Sequence, residues 1–205
     1  MNIDSTYNKN IQSRSKLRFI KGLYPRFKKY LINSYVVWVA RKNGAIIGEC
    51  VTIPYKLAKS ANSNLTIGNH TSIQSHLIDL RCKVTIGSHV IIGSGVEIIT
   101  LSHNIDSVDW EHKPYGIEIE DYCWLATRAF ILPSCRQIGY GAVCAAGSVI
   151  ARNVEPMAIM TGNPGELLRL RKNVHTDLCV ESMLGNDFKA YWNAYKTKKT
   201  KQRIN

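Results

Sequence analysis

The sequence lacks any apolar run long enough to cross a membrane. Its longest such run, residues 35–40, is far shorter than the roughly 20 residues that a bilayer requires. No apolar segment follows the polar N-terminus, so we expect no signal peptide. The six cysteines include no C-x-x-C pair, and a chain of 205 residues needs no disulfides to fold. These absences favour a cytoplasmic protein with reduced thiols.

Acidic residues are nearly missing from residues 1–42, which hold ten Lys/Arg and one acid. Residues 43–151 hold seven bases and nine acids, and residues 152–205 hold ten bases and five acids. A nucleic-acid partner is not expected, because the middle region has no basic surface interleaved with aromatics. The basic ends suit the phosphates of a cofactor or the anionic cytoplasmic face of a membrane. Solvated termini are the simpler interpretation.

Residues 1–43 form the first of three predicted regions. A frayed polar arm is expected over residues 1–13, and an amphipathic basic segment begins near residue 14. Pro25 predicts the first turn of a new helix, and Asn43-Gly44 predicts its end. We expect this helix to pack on its own domain; peripheral contact with the inner membrane surface is the alternative.

Aliphatic residues recur every six positions through the middle of the chain. The period begins at Ile47 and Ile53, and its regular part comprises Ile86, Ile92, Ile98, Ile119, Leu125, Ile131, Ile138, Cys144 and Ile150. A β-sandwich would alternate with period two, so a period of six indicates a solenoid of short strands. Three hexads predict an 18-residue coil, with glycines after the aliphatic residues making tight turns. An extra residue before Ile138 predicts a bulged corner.

Residues 100–116 interrupt the period and contain His103. The second region is therefore a solenoid over residues 44–165 with an inserted loop at 100–116. The third, residues 166–205, is a C-terminal extension. We expect a short helix or strand near 166–172, a helix near 188–192 and a charged mobile tail after 196. The fold class is all-β, a parallel β-helix with helical segments at both ends.

The sequence resembles the hexapeptide-repeat acyltransferases. The matching motifs are N-L-T-I-G at 64–68, Ile86-Gly87, L-S-H at 101–103, W-L-A-T-R-A-F at 124–130 followed by Pro133, A-G-S-V at 146–149 and G-N-P at 162–164. Among these enzymes it is most similar to the colanic-acid type of polysaccharide O-acetyltransferase, and also to maltose and galactoside acetyltransferases. The resemblance implies a left-handed coil, acetyl-CoA as co-substrate, a homotrimer with sites between subunits, and acetylation of a sugar hydroxyl in bacterial surface polysaccharide biosynthesis.

His103 matches the family's catalytic base, which would take the proton of the acceptor hydroxyl. A loop histidine with a structural hydrogen bond is the plainer alternative. Its second ring nitrogen needs an orienting partner, and the candidates are Asp79, Asp106, Asp109 or a backbone carbonyl. Relatives place an acid or amide one coil earlier, where this chain has Arg81, so Asp79 is the nearest acid and the predicted partner.

The remaining predicted site residues follow the same resemblance. We expect the acceptor to contact Asn104, Asp106, Trp110 and Trp124. We expect acetyl-CoA to contact Trp124, Ala126, Thr127, Ala145, Ala146, Gly147, Arg152, Arg169 and Arg171. Ala126 and Thr127 would offer backbone N–H groups to the thioester and pantetheine, and the arginines would bind phosphates. Core packing is the alternative for Trp124, and solvated surface charge for the arginines.

No metal and no covalent intermediate are predicted, and Cys123 and Cys144 are expected to be packing residues. Three other functions remain open. An N-acetyltransferase acting on an amino sugar or a serine-type acceptor would use the same histidine. A zinc-dependent γ-type carbonic anhydrase would need three converging histidines, which the spacing does not favour. A non-catalytic structural solenoid subunit is the third.

Overall fold

In a computed structural model, which describes residues 5–175 and 178–204, the chain forms a β-solenoid of about six coils with helices at both ends. The helices are α1 (Ser5–Gln12), α2 (Lys16–Lys42), α3 (Tyr55–Ser60) and α4 (Phe188–Ile204), with a 3-10 helix at Val180–Leu184. The strands up to the insertion are β1 (Ile46–Ile47), β2 (Leu65–Ile67), β3 (Ser72–Ile73), β4 (Leu77–Ile78), β5 (Val84–Ile86), β6 (Ile91–Ile92) and β7 (Glu97–Ile98). Those that follow are β8 (Leu101–His103), β9 (His112–Pro114), β10 (Ile117–Ile119), β11 (Trp124–Leu125), β12 (Phe130–Ile131), β13 (Gln137–Ile138), β14 (Val143–Cys144), β15 (Val149–Ile150), β16 (Ala158–Thr161) and β17 (Glu166–Leu170).

The solenoid has three parallel faces. The first contains β1, β2, β5, β10 and β13; the second contains β3, β6, β11, β14 and β16; the third contains β4, β7, β12 and β15. β17 folds back antiparallel on β16 at the last coil, and β8 and β9 form a separate antiparallel hairpin. The predicted solenoid over residues 44–165 is confirmed, and Glu166–Leu170 takes the strand alternative.

The nine residues of the predicted period all point into the solenoid. Each is at most 1% exposed, and each stacks on its equivalent in the next coil, as Ile86 does on Ile119 and Ile92 on Leu125. Burial of one such aliphatic side chain contributes roughly 1.5–3 kcal/mol. The ladder of aliphatic residues therefore holds the coils in register.

The coil is one residue longer than predicted. Ile67 pairs with Ile86 and Ile119 pairs with Ile138, and each pair is 19 residues apart rather than 18. The extra residue before Ile138 is thus not peculiar to one coil. Ile86 pairs with Ile119 across 33 residues, so the interruption adds 33 − 19 = 14 residues to a coil.

The glycines that follow the period serve the approach of neighbouring coils, not the turns. A Cβ on Gly87 would lie 2.8 Å from Asp121 N, and one on Gly93 would lie 2.8 Å from Thr127 N. Neither glycine has a positive φ. The left-handed turn positions are taken mostly by other residues, including Cys50, His70, His89, Tyr122, Arg128 and Met157. The expectation that Gly87 and Gly93 make the turns is therefore wrong.

The terminal regions are more helical than predicted. The expected polar arm contains α1, and Pro25 lies inside α2 rather than at the start of a helix. The hydroxyl oxygen of Ser15 accepts from Arg18 N and caps α2, which ends at Asn43 as predicted. Packing against the solenoid and α4 offsets the hydrogen bond that Pro25 cannot make. The tail beyond residue 196 continues α4 instead of forming a loose end.

α2 packs on its own domain through only one of its faces. Phe19, Val36 and Ala40 are buried, which confirms the packing interpretation for that side. The opposite side leaves a row of large apolar residues exposed: Leu17, Ile20, Tyr24, Phe27, Leu31, Tyr35 and Trp38. The predicted polar gap after the first coil contains α3. Within the described residues, no helix combines the length and apolarity that a membrane span needs.

Candidate active site

The interrupting segment is a hairpin arm that leaves the solenoid after the third face of a coil. β8 and β9 pair so that Leu101 lies opposite Pro114 and His103 opposite His112. At the tip, Ile105 is 76% exposed and Val108 is fully exposed. A pair of strands alone is marginally stable in water, so this arm depends on its attachment to the solenoid.

His103 lies on the arm with one ring nitrogen already bonded. Its Nδ1 is 2.8 Å from the backbone oxygen of Trp110, and its ring lies against the rings of Trp110 and His112. A carbonyl oxygen only accepts, so Nδ1 must carry the hydrogen. Nε2 of the neutral ring then holds a lone pair that is directed away from this bond. This tautomer is the one that a base acting through Nε2 requires.

Asp79 does not orient His103, and that prediction is wrong. Its carboxylate accepts two hydrogen bonds from the Arg81 guanidinium, at 2.8 and 2.9 Å, and one from Thr100 N at 3.1 Å. Burial alone raises the pKa of Asp79, but the bonds from Arg81 and Thr100 outweigh burial and hold the pKa well below its usual range. Asp79 instead braces the point where the arm begins. Of the candidates, the backbone carbonyl is the partner that the structure supplies.

The predicted acceptor residues lie at the arm and on the second face. The side-chain oxygen of Asn104 accepts from Asp106 N and so stabilises the turn, while the Asp106 side chain is exposed. Trp110 is 56% exposed. Trp124 points outward from β11 and is 45% exposed, which excludes the core-packing alternative. Among the described contacts, none joins Trp124 to His103.

Only some of the predicted backbone donors are available to a ligand. Ala126 N donates to Cys144 O, Ala145 N to Met160 O, and Gly147 N to Thr127 O. These N–H groups hold neighbouring coils together, so their predicted role as donors to acetyl-CoA is wrong. Thr127 N and Ala146 N make no hydrogen bond within the described residues. Both residues are exposed at the same corner of successive coils, where small side chains leave the backbone accessible.

The two buried cysteines beside this corner are unsuited to nucleophilic attack. Burial raises the pKa of the Cys123 thiol to about 12 and raises that of Cys144 further. The Cys123 thiol also donates to Gly139 O. Because the thiolate is the reactive form, both residues are inert near neutral pH.

The predicted phosphate ligands separate into two kinds. Arg152 and Arg169 are exposed near the last coil, where a phosphate could reach them. Arg171 instead donates to the backbone oxygens of Tyr122 and Gly141 and contacts His175 Nδ1. The Arg171 guanidinium is therefore committed to fastening the C-terminal extension, and its cofactor role is not supported by this geometry.

Two features of the arm escaped the sequence interpretation. The carbonyl of Trp110 orients the histidine, and His112 is its cross-strand neighbour. Their signal was the nine-residue spacing from His103 to His112 around a polar turn. That spacing is compatible with a hairpin, but residues 100–116 lack the apolar alternation that identifies one.

Comparison with known proteins agrees with this geometry. No known protein-family profile matches the sequence. An Escherichia coli K12 protein provisionally named a colanic acid biosynthesis acetyltransferase is 29% identical over 135 residues, covering 65% of this chain and 74% of that protein. A provisionally named acetyltransferase of Schizosaccharomyces pombe is 30% identical over 96 residues, and the match spans 44% of its length.

A solved structure decides the fold. The hexapeptide-repeat acetyltransferase of Vibrio cholerae, complexed with acetyl-CoA, matches 78% of this chain and 92% of its own, with a TM-score of 0.56 and 24% identity. The chain is a hexapeptide-repeat solenoid related to acetyltransferases. The predicted resemblance to hexapeptide-repeat enzymes is thereby confirmed at the level of the fold.

Proposed function

We propose that the protein is an acetyl-CoA-dependent O-acetyltransferase that acetylates a sugar hydroxyl during the synthesis of bacterial surface polysaccharide. The observation that carries this proposal is the bond between His103 Nδ1 and the Trp110 carbonyl, which leaves Nε2 free to accept a proton. The relative named for colanic acid biosynthesis supports the choice of a polysaccharide acceptor.

In this mechanism His103 transfers one proton twice. Nε2 takes the proton of the acceptor hydroxyl as its oxygen attacks the thioester carbonyl carbon. The tetrahedral intermediate then collapses, the carbon–sulfur bond breaks, and the imidazolium returns the proton to the leaving sulfur. The products are the acetyl ester and free CoA. The raised pKa values of the Cys123 and Cys144 thiols agree with direct transfer without an acyl-enzyme.

The corner formed by Thr127 and Ala146 suits the extended chain of acetyl-CoA. The unbonded N–H groups of these residues can donate to carbonyl oxygens of the thioester or the pantetheine amides. Arg152 and Arg169 supply exposed positive charge for phosphates at the end of the solenoid. Trp124 provides an exposed ring on the same face as the acceptor channel.

A homotrimer with sites between subunits reconciles the arm with this corner. Within one chain, His103 makes its described contacts with Trp110 and His112 and none with Trp124, Thr127 or Ala146. The arm also ends in exposed Ile105 and Val108, which a neighbouring subunit would bury. A cyclic arrangement would let each arm reach the cofactor corner of the next chain.

The exposed row on α2 fits peripheral contact with an anionic membrane surface. Leu17, Tyr24, Leu31 and Trp38 are seven residues apart and face away from the domain. The helix has eight Lys/Arg and no acid. Aromatic and aliphatic side chains beside lysines match the boundary between lipid headgroups and acyl chains. Such contact would hold the enzyme near a lipid-linked acceptor on the cytoplasmic face.

N-acetylation of an amino sugar or a serine-type acceptor and a purely structural role are the competing functions. The first test is consumption of acetyl-CoA with free, nucleotide-linked, lipid-linked and polymeric sugars. His103→Ala is expected to lower kcat by about 10²–10⁴-fold with unchanged CoA affinity, because only the base is lost. His76→Ala, at an exposed histidine on the solenoid, is the matched control and retains activity. Equal turnover by His103→Ala and wild type refutes the base, and an inert wild type with all acceptors favours the structural role.

A further inference from the structure

The C-terminal extension covers one corner of the solenoid, between the first and second faces. Equivalent positions in four successive coils are Cys50, His70, His89 and Tyr122, each with φ between 54° and 60°. The His70 and His89 rings stack at 5.1 Å, and His89 and Tyr122 stack at 4.7 Å. The 3-10 helix places Glu181 against this column near its first two members.

Four groups with metal-binding chemistry meet at that point. Cys50 Sγ, one ring nitrogen of His70 and a carboxylate oxygen of Glu181 all lie within 4.8 Å of one another. A second thiol, Cys179 Sγ, is 3.5 Å from Glu181 Oε2. Glu181 and Cys179 are each only 4% exposed, and Cys50 and His70 are half-buried. These residues are 20 or more positions apart in sequence, so the fold alone brings them together.

We propose that Cys50, His70 and Glu181 bind a zinc ion, with Cys179 placed to supply a fourth ligand. Thiolate sulfur, imidazole nitrogen and carboxylate oxygen are the ligands that zinc prefers. Neighbouring ligand atoms around tetrahedral zinc are about 3.3–3.8 Å apart, which small side-chain movements reach from the observed cluster.

Zinc would replace the contact that now joins two of its ligands. His70 Nδ1 and Glu181 Oε1 are 2.7 Å apart and share a proton. On binding, that proton leaves Nδ1, the Cys50 thiol releases its proton to solvent, and both atoms turn their lone pairs to the metal. The distance between His70 and Glu181 then lengthens as the thiol moves closer.

A cavity gives the cluster access to solvent. Its volume is about 290 Å³, and its walls include Cys50, Glu181, Glu49, Arg41 and Lys189. The site lies on the first two coils, whereas the arm with His103 follows the third face of a later coil. The metal would therefore fasten the C-terminal extension to the start of the solenoid and take no part in acetyl transfer. This inference is independent of the proposed reaction.

The test uses the full-length protein after removal of bound metal with a chelator. We expect ZnCl₂ titrated against a chromophoric competitor to bind one ion per chain, and CoCl₂ to give a thiolate-to-cobalt charge-transfer band. Cys50→Ser, His70→Gln and Glu181→Gln are each expected to weaken zinc binding by more than about 100-fold. The matched controls Cys82→Ser and His89→Gln lie outside the cluster and retain wild-type affinity.

The wild-type spectrum keeps the test decisive even if a variant folds poorly. Absence of zinc uptake by wild type, or a cobalt complex without the thiolate band, overturns the proposal. Unchanged affinity in the three ligand variants, with circular dichroism showing that they are folded, also overturns it. In either case the cluster is an ion pair beside two thiols.

Discussion

At the scale of single residues, the hydrogen-bond partner of His103 is a backbone atom. The Trp110 carbonyl fixes the tautomer, and any residue at position 110 would carry the same carbonyl. The position of His103 could therefore be predicted from its motif, whereas its orienting group could not. Asp79 was the plausible acid nearby, but its carboxylate is fully engaged by Arg81 and Thr100.

Asp79 accordingly contributes to stability rather than to the reaction. We expect Asp79→Asn to lower the free energy of unfolding at pH 7 by about 1–3 kcal/mol, because charge-assisted bonds at the base of the arm are lost. The pKa of Asp79 is lowered in the folded protein, so its contribution is present above the unfolded value of about 3.9. It is lost as pH falls from about 5 toward the folded pKa.

Urea denaturation of wild type and Asp79→Asn at pH 7 and at progressively lower pH measures this difference. Asp109→Asn, in the exposed turn of the arm, is the matched control and should be nearly neutral. A stability gap between wild type and Asp79→Asn that is the same at every pH would contradict the assignment. A loss of kcat without a loss of stability would return Asp79 to the reaction.

At the scale of elements, the inward face was predictable and the corners were not. The core dictates an aliphatic or small apolar residue at every sixth position, so all nine predicted positions are buried. Corner residues face solvent, and their number is free to vary, which hid the nineteenth residue of each coil. The use of each corner N–H depends on the register of coils. For this reason Thr127 and Ala146 could not be separated from Ala126 and Ala145 by sequence alone.

α2 is the element whose exposed face demands a partner. We expect Leu17→Ser combined with Tyr24→Ser to lower partitioning onto vesicles containing anionic lipid by at least about 10-fold. Both side chains are 74% exposed, so the folded domain should be unaffected. Vesicle co-sedimentation at low and high salt gives the partition coefficient and its dependence on charge.

Leu168→Ser, at a 62% exposed leucine of β17, is the control for general loss of surface apolarity. Equal binding by wild type and the double variant would remove α2 from the membrane contact. Equal binding of wild type to neutral and anionic vesicles would remove the electrostatic part of the argument. A changed oligomeric state with unchanged vesicle binding would assign the exposed row to a second copy of the chain.

At the scale of the whole molecule, the solenoid is a rigid frame whose functional parts lie at its edges. The hairpin arm extends from one side, and the cofactor corner lies on the outer surface of later coils. The sequence could show that a loop interrupts the repeat. It could not show how far the loop is from the corner, because that distance depends on which face each coil presents. A site shared between chains follows from that separation.

The central claim is that His103 of one chain acts at the Thr127–Ala146 corner of another. The most direct measurement mixes two inactive variants, His103→Ala and Ala146→Trp, by co-refolding or co-expression and follows acetyl-CoA consumption. Random trimers of the two should recover about a quarter of wild-type activity, since one intact site forms in each mixed trimer. Sedimentation of wild type should show three chains. No recovery in mixed trimers, where each variant alone is folded and inactive, would contradict the shared site.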